Sequence, residues 1–260
     1  GGGVRGGAGP RGLSPGGVRA RGWPARLARL LETGEHLLHE GAVDDEGVRD
    51  EAAVGRVRQR MRPPRVGRMR AVSTCDYTVI ARWWHGDYGY VLSGSWSKKA
   101  IAEASKLTKV NTIASSENLG FSYAPAEEDW KYSEDSAYVH YCPNETIQGV
   151  AIHEAPDVNN HLIADMSSVI LSEPLDVSKF SLIYAGAQKN IGPAGLTMVI
   201  IKKDLMKLEN ENLPNILRYS KHSEADSMLN TPPTFAWYMA GKVFKWIKQS
   251  GGLEFFKEQN

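Results

Sequence analysis

Cysteine is scarce in this chain: Cys75 and Cys142 are the only two in 260 residues. That count excludes a disulfide framework and suits a reducing compartment such as the cytoplasm. No run of about eighteen apolar residues occurs, so no transmembrane helix is expected. Neither sign of charge is in excess. The formal net charge is +1, which gives whole-chain electrostatics no case for a nucleic-acid or membrane partner. Isoleucine, phenylalanine, tyrosine, asparagine and lysine are all absent from residues 1–70.

That last absence divides the chain in two. Every lysine lies at or after Lys98, and every arginine except Arg218 lies at or before Arg82. Residues 1–70 are crowded with glycine and arginine and can bury little surface to offset chain entropy. Residues 1–89 are therefore expected to be disordered or foreign to the fold, with at most one leucine-striped helix over 25–40. Three origins stay open for this segment. It is an RGG-like tail that binds RNA, an organelle transit segment, or a GC-rich stretch read out of frame. The abrupt change, and the loss of residue types with AT-rich codons, favour the third. Residues 71–89 carry no assignment of their own.

From Tyr90 the pattern becomes α/β. Apolar runs predict strands over 90–95, 110–114, 137–142, 149–153, 161–165, 180–187 and 195–202, with a long polar connection over 117–136. A helix is expected over 98–107 with Ser97 as its N-cap. A second is expected over 234–249, with Phe235, Met239, Val243 and Trp246/Ile247 on one face and Gly251 and Gly252 stopping it. Strands alternating with helices or long crossovers argue for a mostly parallel, mixed sheet flanked by helices. Sites in such sheets form at the carboxyl ends of strands. Thr146, Asp165 and Lys189 each fall at or just after a predicted strand.

Lys189 carries the chemical interest. SLIYAGAQKNIGPAGLTMVIIK (181–202) reads as strand, tight turn, strand, with the lysine between Gln188 and Asn190. Partial desolvation there would make its amine nucleophilic, able to condense with a carbonyl cofactor. A solvated surface lysine is the plain alternative. A cofactor such as pyridoxal phosphate also needs a carboxylate for its ring nitrogen, a flat stacking partner and donors for its phosphate. Asp165 fits the first need, or else is a turn acid. Trp96 fits the second, or else is a core residue. Thr146 offers a hydroxyl to the ring, although Asn144-Glu145-Thr146 also reads as a glycosylation acceptor. Gln188 reaches toward a phosphate, and Asn230 and Thr231 offer an amide and a hydroxyl from a stiff loop.

Several segments resemble one family. ADMSSVILSEPLDVSKFSLIYAGAQKNIGPAGLTMVIIKKDLM (164–206), HYCPNETIQGV (140–150) and MLNTPPTFAWYMAGKVFKWIKQSGG (228–252) are similar to phosphoserine aminotransferases, in the same order. VLSGSWSKKAIAEA (91–104) matches more loosely. The resemblance covers about 90–260. It implies the large domain of a fold-type I, pyridoxal-phosphate-dependent transaminase, incomplete at both ends, with the small C-terminal domain to follow residue 260. It implies conversion of 3-phosphohydroxypyruvate and glutamate to phosphoserine and 2-oxoglutarate in serine synthesis. By motif, Lys189 would carry the Schiff base and shuttle the proton, and Asp165 would pair with the pyridine nitrogen. Trp96 would stack, and Thr146 and Gln188 would bond the cofactor. Asn230 and Thr231 would hold the phosphate of the cofactor in the other subunit of a homodimer with shared active sites.

The family's Ser-His-Arg motif has no match, and His85-Gly86-Asp87 matches its glycine-rich phosphate turn only in part. Little or no transaminase activity is therefore expected of the chain as written. Two alternatives follow: a non-catalytic dimerising fragment, and an RNA-binding protein acting through the Arg/Gly-rich segment.

Overall fold

The computed structural model describes residues 87–133 and 136–260, with the backbone of a two-residue strand, β1 (Arg68–Met69). The expectations for a helix over 25–40, and for a disordered, foreign or RNA-binding segment over 1–89, otherwise lie outside the described residues, except that Tyr88 and Gly89 are buried in the first residues of β2 and so belong to the fold.

The core is one seven-stranded sheet. Its strands are β1, β2 (Tyr88–Leu92), β3 (Val110–Ser115), β4 (Tyr138–Tyr141), β7 (Leu162–Asp165), β8 (Leu182–Gly186) and β9 (Thr197–Ile201), in the order β1-β9-β8-β7-β4-β2-β3. β3, β2, β4, β7 and β8 run parallel, and β9 returns antiparallel to β8. β2, β4, β7 and β8 are buried at every position. That is why they read as near-continuous apolar runs rather than alternations. β2 begins at Tyr88, two residues before the predicted start.

Helices cover both faces. On one side, α1 (Ser95–Ala104) packs Ala100 and Ala104 against Tyr88, Tyr90 and Tyr184, joined by Leu205 of α2 (Lys203–Met206) and Tyr219 of α3 (Tyr219–Glu224). On the other, α4 (Thr234–Gln249) and α5 (Gly252–Gln259) pack Trp237, Ala240, Ile247 and Leu253 over Val139, Leu162 and Ile183. A polar seam runs through the first layer. The Tyr90 and Tyr138 hydroxyls meet at 2.7 Å, and His140 Nε2 lies 2.9 Å from the Tyr184 hydroxyl.

Several boundaries differ from expectation, each for a long-range reason. α1 starts three residues early, at Ser95, with Gly94 as its N-cap. Ser97 lies inside the helix, where its hydroxyl accepts the N–H groups of Ser93 and Gly94. The expected strand over 149–153 shrinks to β6 (Val150–Ala151), paired with an unexpected β5 (Asn144–Glu145) in a small hairpin. Of the expected stripe on α4, Ile247 is buried and Val243 packs against the core, but Phe235 is 70% and Trp246 56% exposed, and Ala236, Trp237 and Ala240 complete the buried face. Gly251, at φ 108°, ends α4 as expected, but Gly252 opens α5 instead of continuing a stop.

Candidate active site

The carboxyl ends of β7 and β8 are neighbours, and a hairpin after β4 folds over them. β7 ends on Asp165, opposite Tyr184 of β8. Asp165 Oδ1 accepts the backbone N–H of Ser167 at 3.0 Å and its hydroxyl at 2.6 Å. The acid is thus a turn residue and a strand-end residue at once. Lys189 sits three residues past β8, in the loop to β9. That loop is closed by Ala187 N–H to Leu196 C=O and Gly192 N–H to Ala187 C=O, both at 2.8 Å. Asn190 ties it down through its side-chain amide, 2.9 Å from the Ile170 carbonyl. Gly192, at φ 153°, lets the loop approach α4, where an added Cβ would stand 3.4 Å from Ala240 N.

The lysine meets the hairpin at Thr146. Lys189 Nζ donates to Thr146 Oγ1 at 3.1 Å, and Trp96 Nε1 donates to the same oxygen at 3.0 Å. Nζ stands 5.6 Å from the centre of the Trp96 ring, and Lys99 Nζ stands 4.5 Å from it. Two ammonium groups over one indole make this a positive corner. A threonine hydroxyl has two lone pairs and one hydrogen. Both lone pairs of Thr146 are taken by N–H donors, and its own hydrogen meets no acceptor among the described residues.

Burial differs from expectation at the lysine. Thr146, Gln188 and Lys189 are all exposed, and Trp96 is half-buried. The described residues therefore do not bury Lys189 as expected. Cys142, at the end of β4, is fully buried. Burial first, then the Asp165 and Glu145 carboxylates, push its thiol well up, against the opposing charge of Lys189. It is therefore a packing residue rather than a nucleophile.

Of the residues singled out in the sequence, Trp96, Thr146 and Lys189 form one bonded cluster. Asp165 ends β7, the strand beside β8, which leads into the Lys189 loop. Gln188 folds back over Gly186, where an added Cβ would lie 2.8 Å from its amide nitrogen. Asn230 and Thr231 are exposed ahead of α4 and form no hydrogen bond to the cluster among the described residues. Sequence reasoning missed Ser167, whose hydroxyl also accepts the Gly186 N–H at 3.0 Å. It missed Glu145 and Gln148, which hold the hairpin to α1. Glu145 was legible only as the middle of a glycosylation triplet.

A mixed sheet with a lysine loop between its last two strands, an acid at the neighbouring strand end and an indole beside the lysine defines a class. Residues 90–260 match the aminotransferase class-V family model, and the chain belongs to that family. Within it, the likeness is to phosphoserine aminotransferases. The chain is 57% identical over 166 residues to the phosphoserine aminotransferase of Hahella chejuensis, which takes in 64% of this chain and 46% of that protein. It is 55% identical over 177 residues to that of Acidithiobacillus ferrooxidans, 68% of this chain and 49% of that protein. The chain thus spans about half the length of the curated relatives it matches. Among solved structures, phosphoserine aminotransferase from Bacillus circulans subsp. alkalophilus superposes with a TM-score of 0.76 at 34% identity, covering 82% of this chain and 63% of that one. The pyridoxal-phosphate-bound enzyme of Trichomonas vaginalis gives 0.73 at 32% identity, covering 91% and 74%.

Proposed function

We propose that this chain forms the cofactor side of a phosphoserine transaminase site that takes pyridoxal phosphate. The observation that carries the reading is the shared hydroxyl of Thr146, which gathers the Lys189 ammonium and the Trp96 indole at 3.1 and 3.0 Å. The donor set suits the cofactor. Lys189 is exposed and reachable by an aldehyde. Thr146 has a hydrogen to give to the ring oxygen, and the positive corner of Lys99 and Lys189 suits an anionic ligand. Bound there, pyridoxal phosphate would supply an aldehyde for amine exchange and a ring that accepts electrons.

Each residue then has a task. Asp165, oriented by Ser167, would serve the ring nitrogen and favour its protonated form. Trp96 would stack on the ring, and Thr146 would offer its hydroxyl to the ring oxygen. Gln188 would bond the cofactor. Lys189 Nζ would take a proton from the substrate carbon and return it, as a base whose position Thr146 restrains. Asn230 and Thr231, both exposed ahead of α4, would reach the phosphate of a second copy in a homodimer. The substrates are phosphoserine and glutamate with their keto acids.

Binding is expected to outrun turnover. Arg218, the one arginine after Arg82, is committed to Glu209 with Nε 3.0 Å from the carboxyl. No described arginine stands at the cluster to hold a substrate anion. Borohydride trapping of added pyridoxal phosphate, followed by peptide mass spectrometry, tests the reading. An adduct at Lys189 that disappears in Lys189→Ala supports it, and adducts scattered over surface lysines alone overturn it. Gel filtration with and without pyridoxal phosphate tests the dimer, which a monomer under both conditions would refute.

A further inference from the structure

The strongest unexplained group near the cluster is Glu145. Its residue is 0% exposed. A buried acid needs donors that replace water, and the structure supplies them from an unusual place. Oε2 accepts the backbone N–H of Trp96 at 2.8 Å, and Oε1 accepts that of Ser97 at 2.7 Å. These are N–H groups of the first turn of α1, which have no partner within the helix and carry its partial positive charge. The acid forms no ion pair among the described residues. The backbone of Gly94 presses against it, where an added Cβ would lie 2.6 Å from its carboxyl carbon. Gly94 has an extended φ of 175°, so the demand there is for space rather than for conformation.

The neighbouring residues of the hairpin grip the same turn. Ser95 N–H donates to Gln148 Oε1 at 3.1 Å, and Gln148 Nε2 donates to the Ser95 hydroxyl at 2.6 Å. Thr146 holds the Trp96 indole nitrogen at 3.0 Å. From one short hairpin, Gln148 thus holds Ser95, Glu145 and Thr146 hold Trp96, and Glu145 also holds Ser97. Trp96 is held at two points, its backbone by Glu145 and its ring by Thr146. Two anchors determine where the indole plane lies relative to Lys189.

We infer that Glu145 is a positioning residue for the cofactor site: through the backbone of Trp96 it sets the indole beside Lys189. The inference rests on the proposed cofactor reading for its consequence, although not for its geometry. It also assigns the N-terminus of α1 to the protein's own carboxyl, which removes that helix end from the groups available to a phosphate.

The test uses the full chain labelled with 5-fluorotryptophan. Of the seven tryptophans, the Trp96 resonance is the one lost in Trp96→Phe. Glu145→Gln, which keeps the shape and removes one acceptor, is expected to shift that resonance. It is also expected to weaken pyridoxal phosphate binding, read by visible absorbance titration, by about tenfold. In the Trp96→Phe background the same change is expected to cost nothing further, because the acid acts through the indole. Losses that add, or an unmoved Trp96 resonance, overturn the inference. Gly94→Ala gives a second route should Glu145→Gln not fold. It keeps the acid, displaces it by contact, and is expected to shift the same resonance. A parent chain that binds no pyridoxal phosphate would overturn the proposed function instead, while the resonance still decides the role of Glu145.

Discussion

Asp165 and Gly186 end neighbouring parallel strands, and one hydroxyl joins them. Ser167 Oγ donates to Asp165 Oδ1 at 2.6 Å and accepts the Gly186 N–H at 3.0 Å. The acid is therefore registered against the strand that launches the lysine loop. Ser167→Ala is expected to leave the Gly186 N–H buried without an acceptor, at about 1–3 kcal/mol of stability. It should also loosen Asp165, with pyridoxal phosphate binding weakened several-fold. Urea titration and absorbance titration read the two effects separately.

Thr146 offers a cleaner comparison, because size and chemistry can be varied apart. Thr146→Val keeps the shape but strands the indole nitrogen and the ammonium that share its oxygen. Pyridoxal phosphate affinity is expected to fall about tenfold, the size of one hydrogen bond to a charged group lost. Thr146→Ser keeps the oxygen and should stay within about twofold of the parent. Equal losses in both variants would count against the hydrogen-bonding role.

The polar seam under α1 predicts acid sensitivity. His140 is fully buried, stacked on Tyr90 at 4.7 Å and bonded to the Tyr184 hydroxyl, and burial pushes its pKa down to about 3. An unfolded histidine takes its proton near pH 6.5. Between those values the unfolded state holds more protons, so stability rises with pH across that window. His140 therefore contributes fully above about pH 6.5 and progressively less as pH falls toward about 3. Each unit of depression is worth about 1.4 kcal/mol. His140→Phe should flatten the pH dependence of the urea midpoint between pH 6.5 and 4; an unchanged slope would remove His140 as its cause.

Glu209 tests the cost of an unpaired buried acid. Its side chain is 3% exposed, and Arg218 Nε and the Ser220 backbone N–H bond it at 3.0 and 3.2 Å. The Ser220 hydroxyl donates to it as well. Arg218→Leu is expected to destabilise by about 3 kcal/mol, since it leaves the buried carboxyl without its counter-charge rather than removing the pair. Changing Glu209→Gln along with it should recover most of that loss, and calorimetric melting of the three variants checks both statements.

The central strands were readable because they are buried on both faces. YVHY and LIAD show as unbroken apolar-rich runs, and burial is the property such runs report. The α4 helix was placed end to end, and Ile247 and Val243 of its expected stripe do meet the core, but Phe235 and Trp246 do not. Phe235 and Trp246 are large and apolar but point outward, while small Ala236 and Ala240 allow close approach to the Lys189 loop. Periodicity selects a stripe, and contact distance then selects which stripe fits. The start of α1 was misplaced because its first N–H groups are satisfied by Glu145, some fifty positions along the chain. A local search for an N-cap side chain cannot see an acceptor that arrives from another strand.

The sequence by itself determined the α/β class, the separate character of residues 1–70, and the identity of the side chains that make up the cluster, since composition, periodicity and motif order are local properties. Only the tertiary structure decided that one threonine hydroxyl gathers Lys189 and Trp96, that the lysine is exposed, and that Glu145 caps the helix carrying the indole. Those facts depend on hydrogen bonds between residues far apart in the chain, whose geometry is settled only when the sheet brings its strand ends together.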